Sequence, residues 1–221
     1  MFWGMLVIYS VVFAALVAVV CGREESSYYI GAKILNSLAF LAVFAFAVVQ
    51  SGKREALPQM LPAFLCCFAG DIFMALYNRS RRKRYFLAGL FVFLIGHLCF
   101  VGWLCGMQTL TWGDSLAALC AVAGAYGLCL LPGMKTGRLK PFILIYAFFV
   151  ALFFFKGLRL ALAFPLPSNC FAAVGSALFF VSDISILFLY FWKKKSTAVH
   201  LFNLGTYYYG MFFLASCLLF E

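Results

Sequence analysis

The sequence predicts an all-α, polytopic integral membrane protein of eight transmembrane helices, one transmembrane domain over residues 1–221. Three observations carry this. Hydrophobic residues make up 66% of the 221 and charged residues 11%, too few to coat a soluble domain of this size. The apolar residues fall in runs of about 20, the length of one helical membrane crossing. The charges sit in short blocks between those runs.

The runs follow in order. Phe2–Cys21 has neither a positively charged start nor a small-residue cleavage site, so it reads as a retained span and not a signal peptide. Tyr29–Gln50 is second. Pro58 and Pro62 open the third, Leu57–Tyr77. Tyr85–Met107 and Ser115–Leu131 are fourth and fifth. Pro141 begins the sixth, Lys140–Phe164. Pro165 and Pro167 precede the seventh, Asn169–Trp192, and Ala198–Phe220 is the eighth. No proline falls mid-span, which argues against the broken helices of many ion-coupled transporters. The connections are short, so consecutive spans run antiparallel.

The net charge of +10 is not a nucleic-acid signal, because no basic face is spread over a soluble domain. The odd-numbered loops hold twelve basic residues, Arg23, Arg79, Arg81–Arg84, Lys135, Arg138, Lys140 and Lys193–Lys195. The even-numbered loops hold Lys53 and Arg54. By the positive-inside rule the odd loops face the cytoplasm and both termini face away from it. A compact chain of this kind points to a bacterial inner membrane. The nine cysteines form no CxxC pair and lie in or beside apolar runs, where Cys acts as a small hydrophobe.

A faint internal repeat is present. Gly70-Asp71-Ile72 of the third span echoes Ser182-Asp183-Ile184 of the seventh, and Lys33 with Asn36 of the second echoes Lys156 with Arg159 of the sixth. The constant offset of four spans suggests a duplicated four-helix unit.

Charge inside a bilayer costs about 2.5–3.5 kcal/mol per residue on insertion scales, so each intramembrane ionisable residue needs a reason. They are Lys33, Asp71, His97, Lys156, Arg159 and Asp183. At a helical rise of ~1.5 Å per residue, Lys33 lies ~6 Å from the cytoplasmic edge, Asp71 ~9 Å, Asp183 ~14 Å, Tyr208 ~15 Å and His97 ~18 Å. The carboxylates thus share the cytoplasmic half with Lys33, Asn36, Tyr207 and Tyr208. Each residue also has a plain structural reading. Lys33 snorkels to the interface or binds substrate. The aspartates and His97 glue helices or act chemically. Lys156 partners an aspartate or snorkels, and Arg159 snorkels outward. HExxH, GxSxG and Gly-rich phosphate loops are missing, and two histidines cannot build a three-histidine zinc site, so neither metal nor cofactor is expected.

Several short motifs occur in order along the chain: Gly31-Ala32-Lys33; Gly70-Asp71; Gly96-His97-Leu98 with Gly102; Tyr146 with Lys156 ten residues on; Gly175 with Phe179-Phe180-Val181-Ser182-Asp183; and Thr206-Tyr207-Tyr208. On these the chain resembles the YhhN-like membrane proteins, the lysoplasmalogenase family. It departs from the family pattern at Leu35, where proline is common, at Phe100, where an aromatic hydroxyl is common, and at Met211, where glutamine is common.

The resemblance implies hydrolysis of the vinyl ether bond of a lysoplasmalogen, a lysophospholipid drawn from the membrane, to a fatty aldehyde and a glycerophospho-head group. The residues suit that reaction. A vinyl ether is cleaved by protonation at carbon to an oxocarbenium ion, to which water adds. Two carboxyls solve the comparable problem in glycosidases. Asp71 and Asp183 would serve as acid and carboxylate in either assignment, with His97 beside them. Lys33 would hold the phosphate, and Asn36, Lys156, Tyr207 and Tyr208 would line the substrate. This requires the two aspartates to converge on one cavity open to the cytoplasmic leaflet. The rival readings are a transporter or flippase of lipid-like amphiphiles and a non-catalytic scaffold.

Overall fold

The computed structural model describes residues 1–22 and 27–220, so Arg23 of the first expected loop lies outside the described residues. Eight long helices follow in sequence: α1 (Phe2–Gly22), α2 (Ser27–Ser51), α3 (Ala56–Ser80), α4 (Lys83–Met107), α5 (Trp112–Cys129), α6 (Lys140–Ala163), α7 (Pro167–Ile186) and α8 (Thr197–Ser216). No strand occurs among the described residues. Seven of the helices, α1 to α7, are long and apolar enough to cross a membrane, as in a multi-pass membrane protein. α8 is the exception because His200, Asn203 and Tyr207–Tyr209 dilute its hydropathy, yet Leu204, Tyr207, Tyr208, Met211 and Phe212 on it are buried.

Two departures from the expected boundaries have local causes. α5 starts three residues before the expected Ser115, because the backbone N–H and hydroxyl of Thr111 both donate to the Asp114 carboxylate, 2.8 and 3.0 Å away. Asp114 thereby satisfies a helix start that would otherwise leave donors unmet. α7 gives way at Leu187–Phe191 to a π turn, wider than the α-helix and well suited to redirecting a chain. The redirected segment pairs with the α5–α6 connection: Lys135 N–H donates to Phe191 O at 2.8 Å and Lys193 N–H to Gly133 O at 3.1 Å.

The described residues divide into two compact units, one of residues 1–100 with the tail from Ala215, the other Val101–Leu214. The first packs around Phe64 of α3, whose ring lies 4.6 Å from Phe44, 5.9 Å from Phe40 and 5.3 Å from Phe100. α1 covers its edge with few buried side chains, leaving Val7, Ile8 and Val11 63–68% exposed. A face that apolar in water would be an aggregation site, whereas in hydrocarbon it is the expected surface.

The second unit is knit by small residues. A Cβ added to Gly175 on α7 would sit 2.9 Å from Gly210 O, 2.9 Å from Leu214 N and 2.7 Å from Leu214 Cγ. One added to Gly210 on α8 would sit 3.0 Å from Gly175 O. The two backbones therefore touch at a glycine–glycine crossing, the device by which helices associate in a solvent that supplies no hydrophobic drive. Gly157 of α6 does the same against Ser176 of α7, at 2.7 Å from Oγ.

Gly175→Ala forces apart two backbones and is expected to lower stability by about 1–3 kcal/mol. Gly124→Ala, on a face with nothing within 4 Å, leaves it unchanged or higher. Thermal unfolding in detergent compares them, and equal melting temperatures for both variants would contradict the crossing.

Candidate functional site

In the first unit, Lys33 and Ser37 stand one turn apart on α2 and therefore share a face. Both reach Asp71 of α3. Lys33 Nζ is 2.8 Å from Asp71 Oδ1, and Ser37 Oγ donates to Oδ2 at 2.7 Å. All three side chains are buried. Lys33 therefore does not snorkel: its ammonium is held inside by the carboxylate. Ser37 is a site residue that the sequence reading passed over. Its only signal was the four-residue spacing from Lys33.

Gly70 and Gly96 explain why glycine precedes both Asp71 and His97. A Cβ on Gly70 would lie 2.8 Å from the Phe93 ring of α4, and one on Gly96 would lie 3.3–3.4 Å from Cys66, Cys67 and Ala63 O of α3. The two glycines let α3 and α4 close together. His97, one residue on, is 1% exposed, with Nδ1 2.8 Å from Phe93 O. A carbonyl only accepts, so Nδ1 is the donor in this contact.

Asn36 faces another way. Its amide donates to Ala32 O at 2.9 Å and to Val12 O of α1 at 3.3 Å, on the α1–α2 seam. It is fully buried, and its carbonyl oxygen has no hydrogen-bond partner among the described residues. No hydrogen bond ties Asn36 to Asp71.

In the second unit, Tyr146 of α6 donates its hydroxyl to Asp183 Oδ1 of α7 at 3.2 Å. Tyr146 belongs to the motif with Lys156, but it was not among the expected site residues. The neighbours of Asp183 are tied to α8. Asn203 Nδ2 donates to Ser182 O, Ser182 Oγ and Ser185 Oγ at 2.9–3.0 Å, and Ser182 Oγ donates to Asn203 O at 3.2 Å. Tyr207 packs edge-on against Phe179 at 5.2 Å and against Tyr208 at 4.9 Å. Both tyrosines are buried.

Lys156 and Arg159 both reach toward the α4–α5 connection. Lys156 is wholly buried, and it donates to Thr109 O at 2.9 Å and Gln108 Oε1 at 3.5 Å, closing the carbonyl end of α4. It is thus neither a snorkel nor the partner of an aspartate. Arg159 does not simply point outward: its guanidinium grips Asp114 through Nε–Oδ1 at 2.6 Å and Nη2–Oδ2 at 2.8 Å, and also donates to Thr109 O. Asp114 lies one residue before the expected start of the fifth span at Ser115. The Thr111–Asp114 capping spacing was the available signal.

Two polar clusters therefore stand out as candidates. One is Lys33–Asp71–Ser37, with the Gly-His pair on the neighbouring helix. The other is Tyr146–Asp183, with the serine–asparagine tie beside it. The first is a buried ion pair whose members depend on each other. Lys33→Met leaves a buried carboxylate without its cation and is expected to cost about 3–5 kcal/mol, whereas Lys33→Met with Asp71→Asn restores most of the loss. A double-mutant cycle on melting temperature measures this, and additive losses would rule the pair out.

Residues 28–218 of the chain match the YhhN family. No curated protein and no solved structure matches it.

Proposed function

The chain belongs to the YhhN family, and from that membership we propose that it is an intramembrane hydrolase that cleaves the vinyl ether bond of lysoplasmalogens. The products are a fatty aldehyde and a glycerophospho-head group. The family match over residues 28–218 carries the reading. The chemistry of the two clusters supports it.

Cleavage needs a proton delivered to the alkene carbon farther from the ether oxygen, a carboxylate to steady the oxocarbenium ion that forms on the nearer carbon, and water. Water adds to the cation, giving a hemiacetal, and this collapses to aldehyde and alcohol with return of the proton. We assign the carboxylate role to Asp71, because its two oxygens face the Lys33 ammonium at 2.8 Å and the Ser37 hydroxyl at 2.7 Å. Asp183 then takes the acid role, with the Tyr146 hydroxyl orienting its carboxyl group. His97, Tyr207 and Tyr208 are assigned to substrate positioning. The Lys156 contacts to Thr109 and Gln108 favour a supporting role for that residue.

In this reading α8 is the eighth span, its tyrosines facing protein and substrate instead of lipid. Both termini lie on the non-cytoplasmic side of a bacterial inner membrane, as the loop charges suggest.

Aldehyde release by the purified protein from a 1-alkenyl lysophospholipid tests the proposal, with the 1-acyl and 1-alkyl analogues run beside it. The alkenyl lipid alone is expected to react. Asp183→Asn is expected to cost on the order of 10²–10⁴-fold in rate. Tyr146→Phe, which removes one hydrogen bond to a carboxyl group, is expected to cost about tenfold. No aldehyde from folded wild type would discard the activity, as would full activity in Asp183→Asn.

A further inference from the structure

A vinyl ether hydrolase that acts on lysophospholipids must also hold the phosphate of the head group. The cation nearest to hand in the sequence, Lys33, is already engaged by Asp71. The second unit offers a different cationic site, assembled from two loops far apart in the chain.

The loop between α5 and α6 and the one between α7 and α8 are joined by the pair of backbone hydrogen bonds that link Gly133 and Lys135 to Phe191 and Lys193. The aliphatic stem of Lys193 lies over Gly133, with Cδ and Cε 3.2 and 3.3 Å from where a Cβ would stand. Gly133 has φ +121, so a side chain there would be strained and would also displace that stem. The bridge gathers Lys135, Arg138, Lys140, Lys193, Lys194 and Lys195, all exposed except the half-buried Lys140. No acidic residue dilutes them: from Ser115 to Phe220 the only carboxylate side chain in the sequence is Asp183. Trp192, within the bridge and 6.0 Å from Phe188, places this edge at headgroup level, where tryptophan settles.

The shelf lies at the same end of α6 and α7 as the Tyr146–Asp183 pair. Asp183 precedes Phe191 by eight residues, or ~12 Å along the chain, and Tyr146 follows Lys140 by six, or ~9 Å. A lysine side chain covers part of that interval from the shelf inward, and the three-carbon glycerol of a lysophospholipid covers the rest. We propose that this bridged shelf, with Lys135 and Lys193 at its centre, binds the phosphate of the lysophospholipid head group and so sets the depth of the scissile bond at Asp183. The proposal rests on the hydrolase reading for its choice of lipid.

The test reads binding, not turnover. Thermal shift of the full chain in neutral detergent is measured with a 1-alkyl lysophospholipid, which carries phosphate but no vinyl ether, and with 1-alkylglycerol, which lacks the phosphate. Wild type is expected to gain several degrees more from the phospholipid. Lys135→Gln with Lys193→Gln should lose at least half of that difference, and Arg82→Gln, which removes a basic residue outside the shelf, should keep it. Equal shifts from the two lipids in wild type would overturn the proposal. So would a difference retained in the double variant, or one lost equally in Arg82→Gln. Absence of aldehyde from the alkenyl lipid would sink the hydrolase reading and leave the binding result standing.

Discussion

A carboxylate in hydrocarbon has no water to solvate it, so the protein must bring donors to each of its oxygens. Asp71 meets this demand through two side chains of one helix face, Lys33 at 2.8 Å and Ser37 at 2.7 Å. That pairing fixes the register of α2 against α3, because a rotation of either helix would strand a buried charge. The same demand recurs in the second unit. Asp183 receives Tyr146, and Asp114 receives both the start of α5 and the guanidinium of Arg159.

Glycine lets these pairings sit where they do. Apolar association cannot drive helices together in lipid, so close backbone approach must hold them. Gly70, against the Phe93 ring, and Gly96, against Cys66, Cys67 and Ala63 O, bring α3 against α4, one residue from Asp71 and His97. Gly175 and Gly210 bring α7 against α8, with Phe179, Ser182 and Asp183 along the same helix. The glycine-plus-polar motifs are thus two halves of one device: the small residue brings the neighbouring helix in, and the polar residue stands within its reach.

The two units rhyme without repeating. Each sets an aspartate of its third helix against a donor of its second, Lys33 in one and Tyr146 in the other. Lys156, the counterpart that sequence reading assigned to Lys33, lies ten residues beyond Tyr146 and serves the carbonyls after α4 instead. The partners are chemically unlike: Asp71 faces an ammonium and Asp183 a phenol hydroxyl.

The helical class and the boundaries of the apolar runs, to within a few residues at most ends, follow from the residues alone. Each run must be about 20 residues long to cross the bilayer, and the charges between runs mark its ends. The sequence also singled out Asp71, Asp183, Lys33 and His97, because a charge in an apolar run is conspicuous. Only the tertiary structure decided who partners whom. Ser37, Tyr146, Asn203 and Asp114 emerged there, since a hydroxyl, an amide or a loop carboxylate is unremarked until a neighbouring helix arrives. It turned Asn36 toward α1, set Lys156 and Arg159 against the α4–α5 connection, and joined two basic loops into one shelf. Composition and spacing report what a residue costs to bury, but partnership depends on the rotation of each helix about its own axis, which packing alone sets.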